Sequence, residues 1–175
     1  MLRDFNLLVT TARGSEAEAC SEMWYLLGEI GDDAPKVDKT GISGMVTTKT
    51  SFPPLQAVEK LRKILQDRPY EFRYCLRIIP IQEVVDTSIE NIERKAASLA
   101  DKIEEDEAFR VTVEKRHSSV SRKDVIEAAA AKIERKVDLT NPDWIVLVEI
   151  VGGSTGISVL KPSDIMSVVK EKVEG

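Results

Sequence analysis

The chain has 175 residues, of which 42% are hydrophobic and 31% are charged, a composition that supports a folded core and excludes a disordered tail. Its formal net charge of -5 argues against a protein that coats nucleic acid without selectivity. No run of about 18 apolar residues is present to span a bilayer, and the first residues turn polar too soon for a signal peptide. We therefore expect a soluble, cytoplasmic protein.

The first 80 residues alternate between strand and helix patterns. A capping box at Ser15 opens one helix, Pro53 and Pro54 open another, and Pro80 stops a buried strand. The predicted strands are 5–11, 36–38, 43–49 and 74–79, and the predicted helices are 15–30 and 53–65. This order of strand, helix, strand, strand, helix and strand is that of a ferredoxin-like domain.

A second unit is predicted to begin at Thr87, where Thr87 and Glu90 form another capping box ahead of an amphipathic helix. The two halves are expected to join at residues 83–87. Domain limits of 1–82 and 83–175 follow from this reading.

The stretch from Phe109 to Ala131 is the candidate functional segment. Alternating apolar residues predict a strand, residues 115–119 predict a polar loop, and Ser121 is the expected N-cap of the next helix. Four cations flank the loop, namely Lys115, Arg116, Arg122 and Lys123. Because the start of a helix carries free N–H groups and a positive dipole end, the cluster suits a phosphate. The alternative is a solvated turn in which Lys115 is only a charge at the end of a strand.

The local charge supports a nucleic-acid partner. Residues 107–136 contain eight lysines and arginines against five acidic residues, a local balance of +3 in an acidic chain. Such a restricted basic patch favours selective docking over indiscriminate binding.

The last third of the chain contains two further predicted strands and a helix. Residues 144–151 are apolar nearly throughout, which is typical of an interior strand covered on both faces. Gly152 and Gly153 then turn the chain into a strand at 157–160, and Pro162 introduces a last helix.

The residues FRVTVEKRHSSVSRKDVI, followed by KVDLTNPDWIVLVEI, resemble the THUMP domain, a small α/β RNA-binding module of tRNA-modifying proteins and 4-thiouridine synthetases. In that family a ferredoxin-like domain commonly precedes the THUMP domain. The resemblance implies an α+β protein with an N-terminal ferredoxin-like domain followed by an α/β THUMP domain. The VDLTNP run and the strand ending in VEI are similar to stand-alone THUMP proteins that assist the tRNA cytidine acetyltransferase.

The resemblance implies a tRNA-binding adaptor that holds tRNA while a separate enzyme forms N4-acetylcytidine. The implied partners are the acceptor region of tRNA and a tRNA cytidine acetyltransferase, with no membrane and no DNA. The candidate RNA-binding residues are Lys115, Arg116, His117, Ser121, Arg122 and Lys123, with Asn141 and Lys161 as secondary candidates and Arg13 as a weak further basic site.

Several of these residues have plainer explanations. Asn141, followed by proline, can simply shape a turn before the interior strand, and Gly152 and Gly153 fit an ordinary hairpin. The two tryptophans, Trp24 and Trp144, lie on apolar stripes and are expected to pack in or beside the core rather than stack on bases.

An enzyme is not expected. His117 is the only histidine, and no nucleophile-elbow, P-loop, dinucleotide-binding or zinc-protease motif is present. Cys20 and Cys75 form no C-x-x-C pair and are expected to be buried free thiols. The sequence thus predicts no catalytic residue, no metal and no cofactor. The alternative function is a structural or regulatory ferredoxin-like module without RNA binding.

Overall fold

The structure, a computed structural model, describes residues 1–174 and divides into two compact units, each built on a five-stranded sheet. The first unit comprises residues 1–81 together with the segment that starts at Ser163, and the second comprises residues 82–162. The strands are β1 (Leu7–Thr10), β2 (Lys36–Lys39), β3 (Met45–Lys49), β4 (Arg77–Pro80), β5 (Glu83–Asp86), β6 (Ala108–Arg116), β7 (Lys136–Val137), β8 (Trp144–Val151), β9 (Ser154–Leu160) and β10 (Met166–Ser167). The α-helices are α1 (Glu16–Glu29), α2 (Pro54–Asp67), α3 (Ile89–Leu99), α4 (Arg122–Ala130) and α5 (Val168–Glu174).

The first unit has the predicted ferredoxin-like order. Strands β4, β1, β3 and β2 lie side by side and pair antiparallel, and α1 and α2 connect them as expected. Alternate residues of the strands, such as Leu7 and Val9, pack against apolar stripes at helical spacing. The stripe residues are Met23, Leu26 and Leu27 of α1 and Val58, Leu61 and Leu65 of α2.

The C-terminal segment extends the first sheet. Met166 pairs with Ile78 of β4, and its side chain is fully buried in the first core. Arg62 of α2 bonds to Glu171 of α5 at 2.8 Å and also to the Ser163 carbonyl. The sequence assigned residues 163–175 to the second domain, whereas these contacts lie within the first unit. Gly175 lies outside the described residues. Whether residues 1–82 and 83–175 fold as independent domains stays a prediction.

The second unit has the strand order β5, β9, β8, β6 and β7. Strand β6 runs parallel to β8, and β9 is antiparallel to both β8 and β5, so β5, β6 and β8 all run in one direction. Helices α3 and α4 supply Ile92, Ala96, Val125 and Ala129 to a core that also includes Val146. The predicted fold class, an α+β protein, is confirmed.

The structure corrects several local predictions. Residues 83–86, predicted as a join between domains, form β5. The final helix does not start at Pro162, where a 3₁₀ turn leads into β10 instead. Ser15 makes no side-chain cap, and Ser88 rather than Thr87 caps α3.

The predictions for tryptophan and cysteine have mixed outcomes. Trp24 is 62% exposed, so of the two predicted positions, in the core or beside it, the first is wrong. Both cysteines are free; Cys75 is buried and Cys20 is half-buried.

None of the helices within residues 1–174 has the length and apolar character needed to span a bilayer.

Asp32 fixes the connection that leaves α1. Its carboxylate accepts hydrogen bonds from the Thr50 hydroxyl at 2.7 Å, the Ser51 N–H at 3.0 Å and the Ala34 N–H at 3.1 Å. Burial of this side chain raises the pKa of Asp32. The hydrogen bonds lower the pKa by a larger amount, so it lies below its ordinary value. The charged form is therefore the one that the fold stabilises.

Replacing Asp32 with alanine is expected to lower the free energy of unfolding by about 1–3 kcal/mol near neutral pH, because it leaves the buried Thr50 hydroxyl and two partly buried N–H groups without an acceptor. A carboxyl group with a depressed folded pKa stabilises the protein above its unfolded pKa, and this contribution disappears as pH falls through the folded value. The difference between Asp32→Ala and the unaltered chain should therefore shrink below about pH 4. Urea denaturation across a pH series measures it. The exposed neighbour Asp33 supplies the control Asp33→Ala, and an equal loss in both variants contradicts the assignment.

Candidate nucleic-acid interface

Three parallel strands of the second unit end at one edge of its sheet. Strands β5, β6 and β8 reach this edge at Asp86, Arg116 and Val151, and we call it the carboxyl edge. Because β5 leads into α3 and β6 leads into α4, both helices begin there. In open α/β sheets, ligands bind beyond the carboxyl ends of such strands.

A tight loop turns the chain from β6 into α4. His117 adopts the left-handed conformation with φ 53°, which few residues other than glycine accept and which reverses the chain sharply. The Ser121 hydroxyl accepts a hydrogen bond from the Asp124 N–H at 3.3 Å, so its predicted N-cap role is confirmed. The Lys115 ammonium donates to the Val120 carbonyl at 2.9 Å. That cation therefore holds the loop against the strand.

The β8–β9 hairpin connects the starts of both helices. Gly152, with φ 62°, donates its N–H to the Arg116 carbonyl at 2.9 Å. On the other side, the Thr87 N–H donates to the Gly153 carbonyl at 2.9 Å, and the Thr87 hydroxyl donates to the Gly152 carbonyl at 3.0 Å. The turn thus fixes the end of β6 relative to the segment that enters α3.

The start of α3 belongs to the carboxyl edge, although the sequence did not indicate it. Ser88 caps this helix by accepting from the Asn91 N–H at 3.1 Å. Its proximity to the β6–α4 loop depends on β5 being a strand of the same sheet. The sequence shows the capping signal at residues 87–90, but it gives no strand signal at residues 83–86, where β5 lies.

The four predicted cations differ in what they contact. Arg116 Nη1 lies 2.6 Å from Glu149 Oε2, and the Glu149 side chain is only 1% exposed. Arg116 is therefore the counter-ion of a buried carboxylate, which has a large penalty for being left unpaired. By contrast, Arg122 and Lys123 are exposed and make no hydrogen bond or ion pair with any residue that the structure describes.

The acidic residues limit where an anion can lie at this edge. Glu90 and Asp124 occupy the first turns of α3 and α4, where they compete with an external anion for the helix dipoles. The positive side chains lie at the end of β6 and in the first residues of α4, and the exposed His117 lies in the loop between them. These residues are therefore the part of the edge best suited to a phosphate.

Asn141 and Lys161 lie at the opposite edge of the sheet. They flank Trp144 at the start of β8 and Leu160 at the end of β9. Trp144 pairs with Phe109 of β6, which lies seven residue steps from Arg116. At about 3.3 Å per residue, this separation is about 23 Å. The structure therefore does not bring these two residues into the cationic cluster.

Local contacts account for both residues. The N–H groups of Thr140 and Asn141 donate to Asp138 at 3.0 and 2.9 Å, and these hydrogen bonds lower the pKa of Asp138. The contacts support the role of Asn141 in a turn. Lys161 Nζ lies 5.4 Å from the centre of the Trp144 ring, a cation–π distance.

Arg13 belongs to the first unit, where it follows β1 and is exposed.

Within residues 1–174, no group of three or more histidine, cysteine or acidic side chains is arranged to hold a metal ion. The candidate interface consequently consists of Lys115, Arg116, His117, Ser121, Arg122 and Lys123, with the start of α3 and the Gly152–Gly153 turn beside them.

Comparisons with known proteins identify the second unit. Residues 86–160 match the family model of the THUMP domain, which covers α3 through β9. The chain is 27% identical over 170 residues to THUMP domain-containing protein 1 of Mus musculus, covering 85% of this chain and 48% of the mouse protein. The chain thus spans about half the length of this curated relative.

Solved structures share the fold of both units. PH1313 from Pyrococcus horikoshii superposes with a TM-score of 0.68 at 18% identity, covering 90% of this chain and 55% of PH1313. A 4-thiouridine synthetase, solved as an RNA complex with bound ATP, has a TM-score of 0.54 at 14% identity over 90% of this chain and 42% of the synthetase. At these identities the likeness shows the fold alone. The family match confirms the resemblance to the THUMP domain drawn from the sequence: residues 86–160 of this chain form a THUMP domain.

Proposed function

We propose that this chain binds tRNA through the carboxyl edge of its THUMP domain and positions it for modification by a separate enzyme. The observation that carries the proposal is the clustering of six predicted residues around the start of α4, where Arg122 and Lys123 are exposed and unpaired among the described residues. Cations beside a helix N-terminus are well suited to phosphate oxygens.

The character of the cluster favours recognition of the backbone over reading of sequence. Ammonium and guanidinium groups at phosphates fix the position of a nucleic acid without distinguishing its bases. Selectivity would then come from the shape and single-stranded end of the RNA. The prediction that the chain has no catalytic step of its own stays a prediction, because its fold also occurs in enzymes such as the 4-thiouridine synthetase.

Arg122 and Lys123 are the direct test of the interface. Removing both in Arg122→Ala/Lys123→Ala should weaken tRNA binding about 10-fold or more at low salt and reduce the log–log salt slope by about 1.5, since each phosphate contact contributes about 0.7–0.9. Fluorescence anisotropy titrations with labelled tRNA at several salt concentrations measure both quantities.

The control is Arg3→Ala/Lys63→Ala, which changes the net charge equally at two exposed positions of the first unit. Apart from the general effect of net charge on binding, this control variant should change the affinity for tRNA less than 2-fold. Equal losses in the two variants, or an unchanged slope in the first, would remove Arg122 and Lys123 from the interface.

Arg116 is expected to act on stability. Arg116→Ala should lower the free energy of unfolding by about 1–3 kcal/mol, because it leaves the buried Glu149 carboxylate without its cation. The loss stays in this range because about a quarter of the Arg116 side chain is exposed to water, which screens the ion pair. Adding Glu149→Gln should recover part of this loss. Chemical denaturation provides the measurement, and Arg122→Ala, which should change stability by less than about 0.5 kcal/mol, is the control. A stable Arg116→Ala variant with weakened tRNA binding would instead show that Arg116 contacts phosphate.

The finer parts of the proposal concern the bound region and the partner. We propose the acceptor region of tRNA as the ligand and a tRNA cytidine acetyltransferase as the enzyme, on the resemblance of the VDLTNP run and the following strand to the stand-alone adaptors. Intact tRNA should bind more tightly than tRNA trimmed of its 3′ end in a gel shift. Equal affinities would exclude the acceptor end while leaving RNA binding by the carboxyl edge intact.

A further inference from the structure

Helix α1 of the first unit exposes two aromatic side chains. Trp24 is 62% exposed and Tyr25 is 42% exposed, whereas large aromatic residues usually bury most of their surface. They line two pockets of about 370 and 360 Å³ that share Tyr25. Gly28 and Pro35 contribute to the first pocket and Tyr74 to the second. We call this region the α1 surface.

Carboxylates surround these aromatic rings. The pocket-lining residues include six acidic side chains and no lysine or arginine, namely Glu18, Glu22, Glu29, Asp32, Asp33 and Glu71. Arg68 pairs with Glu29 and Glu71, and the α1 surface keeps a net negative charge. Its field repels phosphate and attracts cations.

Only some of these carboxylates are engaged within the fold. Glu22 accepts N–H bonds from residues 73–75, and Asp32 holds the end of α1 as described above. Glu29 and Glu71 both bond to the Tyr25 hydroxyl and to Arg68. Two others, Glu18 and Asp33, are exposed and have no hydrogen bond or ion pair among residues 1–174.

An exposed indole with carboxylates around it is complementary to a guanidinium group. Arginine stacks on aromatic faces and pairs with carboxylates, so it makes both contacts at once. From this charge complementarity we propose that the α1 surface docks a positively charged, arginine-containing segment of a partner protein. RNA is disfavoured there, because its phosphates would face the exposed carboxylates of Glu18 and Asp33. The α1 surface belongs to the first unit, and its docking role does not depend on tRNA binding by the THUMP domain.

The test uses the full chain and a fluorescein-labelled eight-residue peptide of alternating arginine and glycine as the probe. Trp24→Ala should weaken peptide binding about 3- to 10-fold, because it removes the cation–π contact. Glu18→Gln/Asp33→Asn should produce a similar loss by removing the exposed charges. Since all three side chains are exposed, thermal unfolding should be unchanged, and this is measured for each variant.

Two matched variants separate a specific surface from general electrostatics. Tyr70→Ala removes an aromatic side chain that is 70% exposed outside both pockets, and Glu104→Gln/Glu105→Gln removes two exposed carboxylates of the second unit. Both should bind the peptide within 2-fold of the unaltered chain. Equal losses in the controls, or no peptide binding by the unaltered chain, would overturn the proposal.

Labelled tRNA tests whether RNA, instead of a protein segment, binds the α1 surface. Trp24→Ala is expected to leave tRNA affinity unchanged, which supports a protein segment as the ligand of the α1 surface. A tRNA affinity reduced by Trp24→Ala would make this surface an RNA contact, and the proposal of a cationic protein segment would be wrong. Because the carboxyl-edge variants are scored separately, this result leaves the proposed role of Arg122 and Lys123 unaffected.

Discussion

The parallel pairing of β6 with β8 determines where the candidate interface can form. Its register runs from Phe109 opposite Trp144 to Arg116 opposite Val151, so both strands end together. The hairpin after β8 and the loop after β6 consequently meet, and Gly152 donates its N–H to the Arg116 carbonyl. Without this register, the start of α4 would not lie beside the turn that holds the entry to α3. The same pairing places Trp144, with Lys161 stacked on its ring, at the far end of the sheet.

Charge alone is a poor guide to which side chains bind a phosphate. Lys115, Arg116, Arg122 and Lys123 look equivalent in the sequence, but the fold divides them into two kinds. Lys115 and Arg116 bond to a loop carbonyl and to a buried carboxylate, so their positive charges stabilise the edge itself. Arg122 and Lys123 extend from the first turn of α4 and stay exposed. A phosphate ligand would therefore contact Arg122 and Lys123, while Lys115 and Arg116 hold the end of β6 and its loop in place.

Much of the fold could be predicted because its signals are local. Alternating residues identified β6, the apolar run identified β8, and Ser121 marked the start of α4. The missing pieces depend on long-range pairing: β5 and β10 are short strands whose partners, β9 and β4, lie about 70 to 90 residues away in the chain. Periodicity also failed for Trp24, which lies near the buried Met23 and Leu27 of α1 but is itself exposed. Placement of Asn141 and Lys161 required the strand register, which the sequence does not state.

The molecule carries two surfaces of opposite character, a cationic carboxyl edge on the THUMP domain and the acidic, aromatic α1 surface on the first unit. Such a division is consistent with a protein that engages RNA through one surface and another protein through the other. Binding of tRNA to the first of these surfaces is tested most directly by hydrogen–deuterium exchange in the presence and absence of tRNA. Binding of tRNA at the carboxyl edge should slow exchange at residues 117–125 and 87–91, with little change at residues 138–144. Protection confined to residues 138–144, at the opposite edge of the sheet, would contradict it.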